Sequence, residues 1–421
     1  MSAGHVGARR SRPRLLVVGA STMRDHAFAV WRELGLEIVL ADGYSGGRYE
    51  HLVHHFVALD PRDGSAAVTE LTELARTCDG VVTLADNSQL TAAQVAHDAG
   101  LPGIGPEIAL IARSKLLQRR VGERRGLSTP RWRQVSGADD LDAFYDGRSG
   151  WSVLKPVDCA GSAGVLQVAD AAEARRQWPV VRSLSPSRTV VIEEFVGGRE
   201  VCVDAVVLDG VPAFVSVCDA EYVGPDGFIA VSATYAAVQP DRETATSEIG
   251  LVADAYGLRD GVMQAEFKID DGRWTLLEVT FRPGGALVPE LTERVTGIDL
   301  YEAQAQLALG RTPPLPEPDA AWSPVPFAEV RFLVGSGPVR RFVPPATVIA
   351  GLPDVKIVNQ LVLPGQRARL PVSEEGRAGY AVGWGADRDR LDRQLREATG
   401  RLGREMGIVE HPDRRSEAAH A

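Results

Sequence analysis

Two acidic residues sit among apolar neighbours, in segments that a tight turn would bring side by side. Glu266 lies within residues 263–269 and Glu278 within residues 274–282, with four turn-like residues between the segments. In a hairpin both carboxylates could lie on one face of adjacent strands, where like charges are destabilising unless a cation joins them. Magnesium prefers oxygen ligands and is the natural candidate, and Arg282 has the strand parity to reach the same pocket. The alternative is a solvated sheet face.

A lysine at the end of another apolar segment precedes a loop of small residues. Lys155 is followed by residues 159–164, which include Gly161, Ser162 and Gly164. Small residues let backbone N–H groups approach phosphate oxygens, and the lysine offers a compact cation to the same anion. The pattern predicts a phosphate site. The alternative is a glycine-containing hairpin with a solvated lysine.

A third segment joins two acids to two glycines. Glu193 and Glu194 end an apolar, strand-like run, and the chain then turns at residues 197–198. A carboxylate and exposed main-chain groups can bind an adenine edge, and Glu200 can accept hydrogen bonds from ribose hydroxyls. These residues are candidates for binding a nucleoside. Solvated acids at a strand end are the alternative.

The first hundred residues repeat a strand–helix pattern that would position such groups. Apolar runs at 15–19, 38–41, 56–59 and 81–84 accompany amphipathic stretches at 27–34 and 66–75. This pattern is typical of a parallel sheet covered on both faces, with ligands at the carboxyl ends of its strands. The loop after the first run lacks the GxGxxG spacing that a dinucleotide requires, which disfavours a nicotinamide enzyme.

Several polar residues are further candidates. Ser21 and Asp42 follow predicted strands and are either substrate contacts or turn and capping residues. A histidine group has a spacing that suits a strand or loop, which favours surface histidines over a metal site. It consists of His51, His54 and His55. Three more residues are considered as substrate contacts, namely Asp86, Glu221 and Tyr235.

Beyond residue 105 the pattern changes to a mixed α+β module. A basic helix is predicted at 113–125 and a second helix at 171–178. Strand-like runs lie at 153–156, 164–168, 189–193, 201–208 and 213–217. A Pro-rich connector at 312–326 then leads to hydrophobic runs at 329–334, 361–363 and 380–383 and a charged helix at 387–405.

Composition narrows the class of protein. The 421 residues carry a formal net charge of −10, which disfavours a nucleic-acid partner. The four cysteines are spread singly, so neither a disulfide framework nor a zinc site is predicted, and a reducing compartment is favoured. No apolar run approaches the roughly 20 residues that span a bilayer, and no signal-peptide core follows the N-terminus. We therefore expect a cytoplasmic protein with no membrane partner.

Taken in order, these segments resemble the ATP-grasp superfamily of carboxylate-amine ligases over about residues 14–310. The resemblance includes Lys115, on the predicted basic helix. It implies a Rossmann-like N-terminal domain followed by an ATP-grasp fold with a lid subdomain and a large C-terminal domain, α/β and α+β in class. It also implies tails at 1–13 and 411–421, a leading domain at 14–112, a lid region at 113–197, a catalytic region at 198–312 and an extension at 313–410.

The resemblance implies a role for each matching residue. Lys115 and Lys155 would bind the phosphates of ATP under a lid formed by the 159–164 loop, with its Gly161, Ser162 and Gly164. Adenosine would be held by the side chains of Glu193 and Glu200 and by the backbone of Glu194 and Val196. Glu266 and Glu278 would ligate Mg²⁺, and Arg282 would stabilise the acyl phosphate and the tetrahedral intermediate.

The continuation Arg282-Pro283-Gly284-Gly285 and the long C-terminal segment are similar to L-amino-acid ligases that make dipeptides. That similarity implies small-molecule carboxylate and amine substrates and a homodimer, the usual state of the family. Two alternatives stay open: a biotin-carboxylase- or purine-biosynthesis-type enzyme, and a degenerate nucleotide-binding protein. The second is motivated by Thr280, which stands where the family usually has Asn, because a hydroxyl is a poorer metal ligand than an amide carbonyl.

Overall fold

The computed structural model describes residues 12–43, 47–62, 64–223, 228–236, 239, 241–315, 325–370 and 373–410. The predicted tails at 1–13 and 411–421 lie outside these residues, apart from residues 12 and 13, as does most of the Pro-rich connector. Within the described ranges, no helix combines the length and the apolar character needed to span a bilayer.

The N-terminal part forms the expected parallel sheet. Its strands are β1 (Arg14–Val18), β2 (Glu37–Ala41), β3 (His55–Val57) and β4 (Gly80–Val82), in the order β3-β2-β1-β4. Its helices are α1 (Asp25–Glu33), α2 (Ser65–Ala75) and α3 (Gln89–Ala99). Leu15 and Val17 of β1 belong to one apolar cluster and Leu16 and Val18 to another, so both faces of the sheet are covered. The Rossmann-like prediction is confirmed.

A smaller antiparallel sheet follows. Helices α4 (Pro106–Ala112) and α5 (Lys115–Arg125) precede strand β5 (Trp132–Val135), helix α6 (Ala138–Tyr145), strands β6 (Ser152–Pro156) and β7 (Leu166–Val168), helix α7 (Ala171–Leu184) and strand β8 (Val190–Glu194). The strand order is β5-β8-β6-β7. The prediction ended α7 at residue 178, but the helix continues through Pro179 because Val181 packs into the apolar cluster of this sheet, which outweighs the lost hydrogen bond.

The largest sheet has eight strands in the order β13-β12-β9-β10-β11-β14-β18-β16. The first elements are β9 (Arg199–Leu208), β10 (Val211–Val223), β11 (Ile229–Ala236), α8 (Arg242–Tyr256), β12 (Gly261–Asp270), β13 (Arg273–Thr280), α9 (Val288–Thr296) and α10 (Leu300–Ala308). The later ones are β14 (Phe327–Leu333), β15 (Gly335–Pro338), α11 (Pro345–Ile349), β16 (Val355–Gln360), β17 (Arg367–Ala368), β18 (Gly379–Gly385), α12 (Arg388–Met406) and β19 (Val409–Glu410). Three strands of the C-terminal segment therefore continue the sheet that contains the acidic hairpin.

The β12–β13 hairpin has a tight turn and a bulge. Asp271 and Gly272 have φ values of +46° and +78°, as a two-residue type I′ turn requires. From that turn a regular ladder would pair Glu266 with Leu277. The register instead shifts there, and Glu266 faces Glu278. The bulge thus brings the two predicted acids onto one face of the sheet.

Candidate functional site

A cavity of about 430 Å³ lies between the parallel sheet, the small antiparallel sheet and the eight-stranded sheet. Its walls come from the loops of the parallel sheet, the small antiparallel sheet, and the eight-stranded sheet. Eleven predicted site residues line it, namely Lys115, Lys155, Gly161, Ser162, Glu193, Glu194, Val196, Glu200, Glu266, Glu278 and Arg282. Gly164 belongs to the same loop but lies behind the wall, where a Cβ would come within 3.1 Å of Pro156.

The acidic pair is arranged to hold a cation. Glu266 and Glu278 face each other across the hairpin, and Lys115 Nζ lies 2.9 Å from Glu278 Oε1. Burial, and then the carboxylates of Glu278 and Glu200, raise the pKa of Glu266 well above its ordinary value. A divalent cation between the two carboxylates would relieve this repulsion. It could also take phosphate oxygens as further ligands. The residues present therefore fit Mg²⁺.

Lys155 is held in a buried group of three charges that includes a residue the sequence analysis did not single out. Glu193, only 2% exposed, lies 2.8 Å from Lys155 Nζ and 2.8 Å from Nε of Arg119, which is fully buried. Burial lowers the pKa of Lys155, while Glu193 opposes that shift. Burial would raise the pKa of Glu193, but Arg119 and then Lys155 outweigh it and lower it. Glu193 thus orients Lys155 towards the cavity.

Helix α5 connects this group to the acidic hairpin. Lys115 and Arg119 are four residues apart and so share one helix face, a spacing that could have revealed Arg119 in the sequence. Arg119 Nη2 donates to the carbonyl of Leu277, the residue that the register shift leaves without a cross-strand partner. Gln118 binds the backbone of Val279 through both its amide oxygen (3.0 Å) and its amide nitrogen (3.1 Å). These contacts fix Lys115 against Glu278.

Arg282 is fixed from the N-terminal part of the chain. Asp86 follows β4 and accepts from Arg282 Nε at 2.8 Å and from Arg282 Nη2. Burial would raise the pKa of Asp86, but the Arg282 guanidinium outweighs it and lowers that pKa to about 2. Asp86 was considered as a substrate contact; in the structure it lines the cavity and orients Arg282.

Thr280 belongs to the same network. Its hydroxyl donates to Asp86 Oδ1 at 3.0 Å and accepts from Gln89 Nε2 at 2.7 Å. Gln89 Oε1 in turn accepts from the backbone N–H of Phe281 at 3.1 Å. The hydroxyl that replaces the usual Asn is therefore engaged in joining the parallel sheet to the hairpin.

Replacing Asp86 with Asn is expected to reduce kcat about tenfold and to leave the KM for ATP unchanged, because Arg282 loses the charged pair of acceptors that orients its guanidinium. Steady-state phosphate release measures both constants. Asp60→Asn removes another arginine-paired aspartate outside the cavity and serves as the control. An equal fall in both variants would contradict a positioning role for Asp86.

The remaining candidates have structural partners. Asp42 accepts from the backbone N–H of Ala20 at 3.0 Å, and Ser21 lines the cavity. Tyr235 donates to Asp204, and Glu221 pairs with Arg331 at 3.5 Å. Neither Tyr235 nor Glu221 is among the residues that line the cavity.

The predicted surface histidines do not form a metal site among the described residues. His54 Nδ1 accepts from the Ile38 N–H at 3.1 Å, and His55 pairs with Glu37 at 3.1 Å. Three other residues within the described ranges lie close enough to share an ion, namely His26, Glu293 and Asp299. Hydrogen bonds to Asp299 and then Glu293 raise the pKa of His26 to about 10. His26 pairs with Glu293 at 3.0 Å and with Asp299 at 3.4 Å, and this raised pKa favours its charged form.

This ion triad is expected to make stability depend on pH. Because the pKa of His26 is higher in the folded chain than its ordinary 6.5, its contribution is complete below pH 6.5 and is lost as pH rises through about 10. His26→Gln should therefore lower Tm more at pH 6 than at pH 10.5, as differential scanning calorimetry would show. A Tm difference that is constant over this range would contradict the assignment of the charge to His26.

Several known proteins are similar to this chain in sequence or in fold. A sequence profile for the ATP-grasp domain matches residues 151–290. The chain is 30% identical to D-alanine–D-alanine ligase of Magnetococcus marinus, over 47% of this chain and 71% of that protein. It is 25% identical to dapdiamide A synthase of Enterobacter agglomerans, over 48% of this chain and only half the length of that relative. L-amino acid ligase from Bacillus licheniformis has a similar fold, with a TM-score of 0.77 and 22% identity over 95% of this chain and 99% of that one.

Proposed function

The chain belongs to the ATP-grasp family, and from this premise we propose that it is an ATP-dependent carbon–nitrogen ligase. In this proposal it activates the carboxylate of an amino acid as an acyl phosphate and couples it to an amine, with release of ADP and phosphate. The observation that carries the proposal is the convergence of two lysines, two acids and an arginine on one cavity. These residues are Lys115, Lys155, Glu266, Glu278 and Arg282.

The cationic residues would act on the phosphates. Lys155 and Lys115 both line the cavity that contains the acidic pair, and they carry charges suited to the triphosphate. Glu266 and Glu278 would hold Mg²⁺, which supplies further neutralisation of phosphate charge when bound. With that charge reduced, a substrate carboxylate oxygen can form a bond to the γ-phosphorus as the bond to ADP breaks.

Arg282 would act on the acyl group. Its Nε and one N–H of Nη2 bind Asp86, and one N–H of Nη1 binds the Pro283 carbonyl. Two of the five guanidinium N–H groups thus remain for the oxygen that becomes negative when the amine nitrogen attacks the acyl carbon. The bond between the acyl carbon and the phosphate oxygen then breaks, the nitrogen gives up one proton to the departing phosphate, and the amide bond remains.

The 159–164 loop would exclude water from the acyl phosphate, which hydrolyses readily. Gly161 and Ser162 adopt φ values of +58° and +60° and line the cavity. The Gly161 carbonyl accepts from the backbone N–H of Glu374 at 3.0 Å. The C-terminal segment therefore supports the loop in this conformation.

The test is a substrate-pair screen with the full chain, ATP and MgCl₂. Phosphate release that requires an acid and an amine together, with mass detection of the amide, supports the proposal. Phosphate release that requires bicarbonate, alone or together with a ribosylamine, and needs no amino acid would instead support the carboxylase or purine-type alternative. ATP binding without turnover on any pair would support the degenerate nucleotide-binding alternative. Glu278→Gln is the matched inactive control.

A further inference from the structure

One face of the eight-stranded sheet changes from acidic to apolar across neighbouring strands. Glu266 on β12 is in register with Cys202 on β9, which is in register with Cys218 on β10. Two residues farther along the same face of β10, Ala220 pairs with Ala233 on β11. With about 4.8 Å between strands and about 3.4 Å per residue along a strand, the two alanines lie roughly 12 and 16 Å from Glu266, measured between backbone positions. An amino acid reacting beside the acids could extend its side chain to them.

Residues from four other parts of the chain complete this apolar region. They come from the parallel sheet, the segment after β13, strand β14, and the hydrophobic run at 361–363, which leaves the sheet directly after β16. We call the region the apolar subsite, and it consists of Met23, Ala220, Ala233, Ala286, Phe332 and Leu361. All six line the cavity and pack in one apolar cluster. None is used by the proposed chemistry.

The charged residue nearest the Phe332 ring of the apolar subsite, Arg377, is already paired within the protein. The Arg377 guanidinium lies 3.9 Å from the centre of the Phe332 ring and donates twice to the Ala230 carbonyl, at 3.0 and 2.7 Å. It also pairs with Glu374 at 3.0 Å. The Arg377 guanidinium is therefore engaged by the Phe332 ring, the Ala230 carbonyl and Glu374. An incoming charged side chain would lose its hydration against the six apolar residues of the subsite.

Resting on the proposed function, we propose that the apolar subsite binds an uncharged apolar side chain of an α-amino acid substrate, of leucine, methionine or phenylalanine size. The two alanines leave room above the sheet, while Met23, Phe332 and Leu361 offer apolar contacts. A glycine substrate would leave this surface exposed to water, and an aspartate or lysine side chain would lose its hydration against the six apolar residues. The side chain belongs either to the acid that is phosphorylated or to the amine.

The first test measures kcat/KM by phosphate release for leucine, glycine, aspartate and lysine, each varied against one fixed partner. Leucine is expected to exceed the other three by at least about tenfold, the discrimination typical of an apolar pocket. Leucine labelled with ¹⁸O in its carboxylate then separates the two sources. Label that appears in phosphate identifies leucine as the acid, and unlabelled phosphate identifies it as the amine.

The second test changes the subsite. Ala233→Leu fills it and should lower kcat/KM for leucine at least about tenfold, with little effect on glycine. Leu361→Asp places a charge in it and should have the same effect on leucine. Leu370→Asp is the matched control, since Leu370 is exposed and does not line the cavity. Thermal melts of each variant check that it folds. If Ala233→Leu does not fold, the result for Leu361→Asp tests the inference.

Two outcomes overturn the inference. One is turnover of glycine, aspartate and lysine within threefold of leucine. The other is an equal fall for every substrate in both variants. Either result leaves the proposed ligase activity in place, because phosphate release would still require an acid and an amine. Failure of the proposed function is distinct, since no pair of substrates would then release phosphate.

Discussion

Glu278→Gln is expected to reduce kcat by about a thousandfold, the largest effect of any single substitution in the site. The change preserves the shape of the side chain but removes its charge. Lys115, 2.9 Å away, loses its counter-ion, and the carboxylate that would share a cation with Glu266 is gone. Phosphate release under saturating ATP, acid and amine measures the effect.

Asp271→Asn provides the control for Glu278→Gln. Asp271 lies in the turn of the same hairpin and is exposed, so the variant removes an acid from the hairpin without touching the cavity. Its kcat should stay within twofold of the unchanged protein. If Glu278→Gln keeps near-normal turnover, Glu278 does not hold the metal.

Lys155→Met is expected to raise the KM for ATP by about 100-fold, which corresponds to ~2.7 kcal/mol, within the range of a hydrogen bond to a charged group. Methionine fills the same space without charge. Glu193 keeps Arg119 at 2.8 Å, so the buried carboxylate is not left alone and the fold should persist. The KM for the amine should change less than threefold.

Nucleotide titrations and steady-state kinetics together test Lys155→Met. Lys356→Met removes a solvent-exposed lysine from β16, outside the cavity, and should leave both constants unchanged. Equal increases in the KM for ATP and for the amine would argue against contact between Lys155 and phosphate.

Local sequence patterns were sufficient for much of the fold. The alternation of apolar runs and amphipathic helices predicted the parallel sheet, because strands buried on both faces must be apolar throughout. The Asp271-Gly272 turn predicted the hairpin, because both positions need a positive φ that these residues tolerate. Lys155 and the small-residue loop followed from the same kind of local reasoning, and the structure places both at one cavity.

The partners of the predicted residues were not available from local patterns. Asp86 meets Arg282 across 196 positions of sequence, and Arg119 meets Glu193 across 74. Such contacts depend on which strands become neighbours, and the strand order of the large sheet does not follow chain order. The C-terminal segment contributes Phe332, Leu361 and Glu374 to the cavity. Local patterns could not predict this contribution, because it too depends on the strand order.

The acidic hairpin shows which features follow from the sequence and which depend on the tertiary structure. The sequence by itself predicted that two acids lie on adjacent strands joined by a tight turn at 270–273, since turn residues and alternation are local properties. A regular ladder from that turn, however, would have placed the acids on opposite faces. A single bulge at Leu277, whose carbonyl accepts from Arg119 of helix α5, turns Glu278 to the face of Glu266. Only packing between distant segments could select that bulge, because its hydrogen-bond partner comes from another part of the fold.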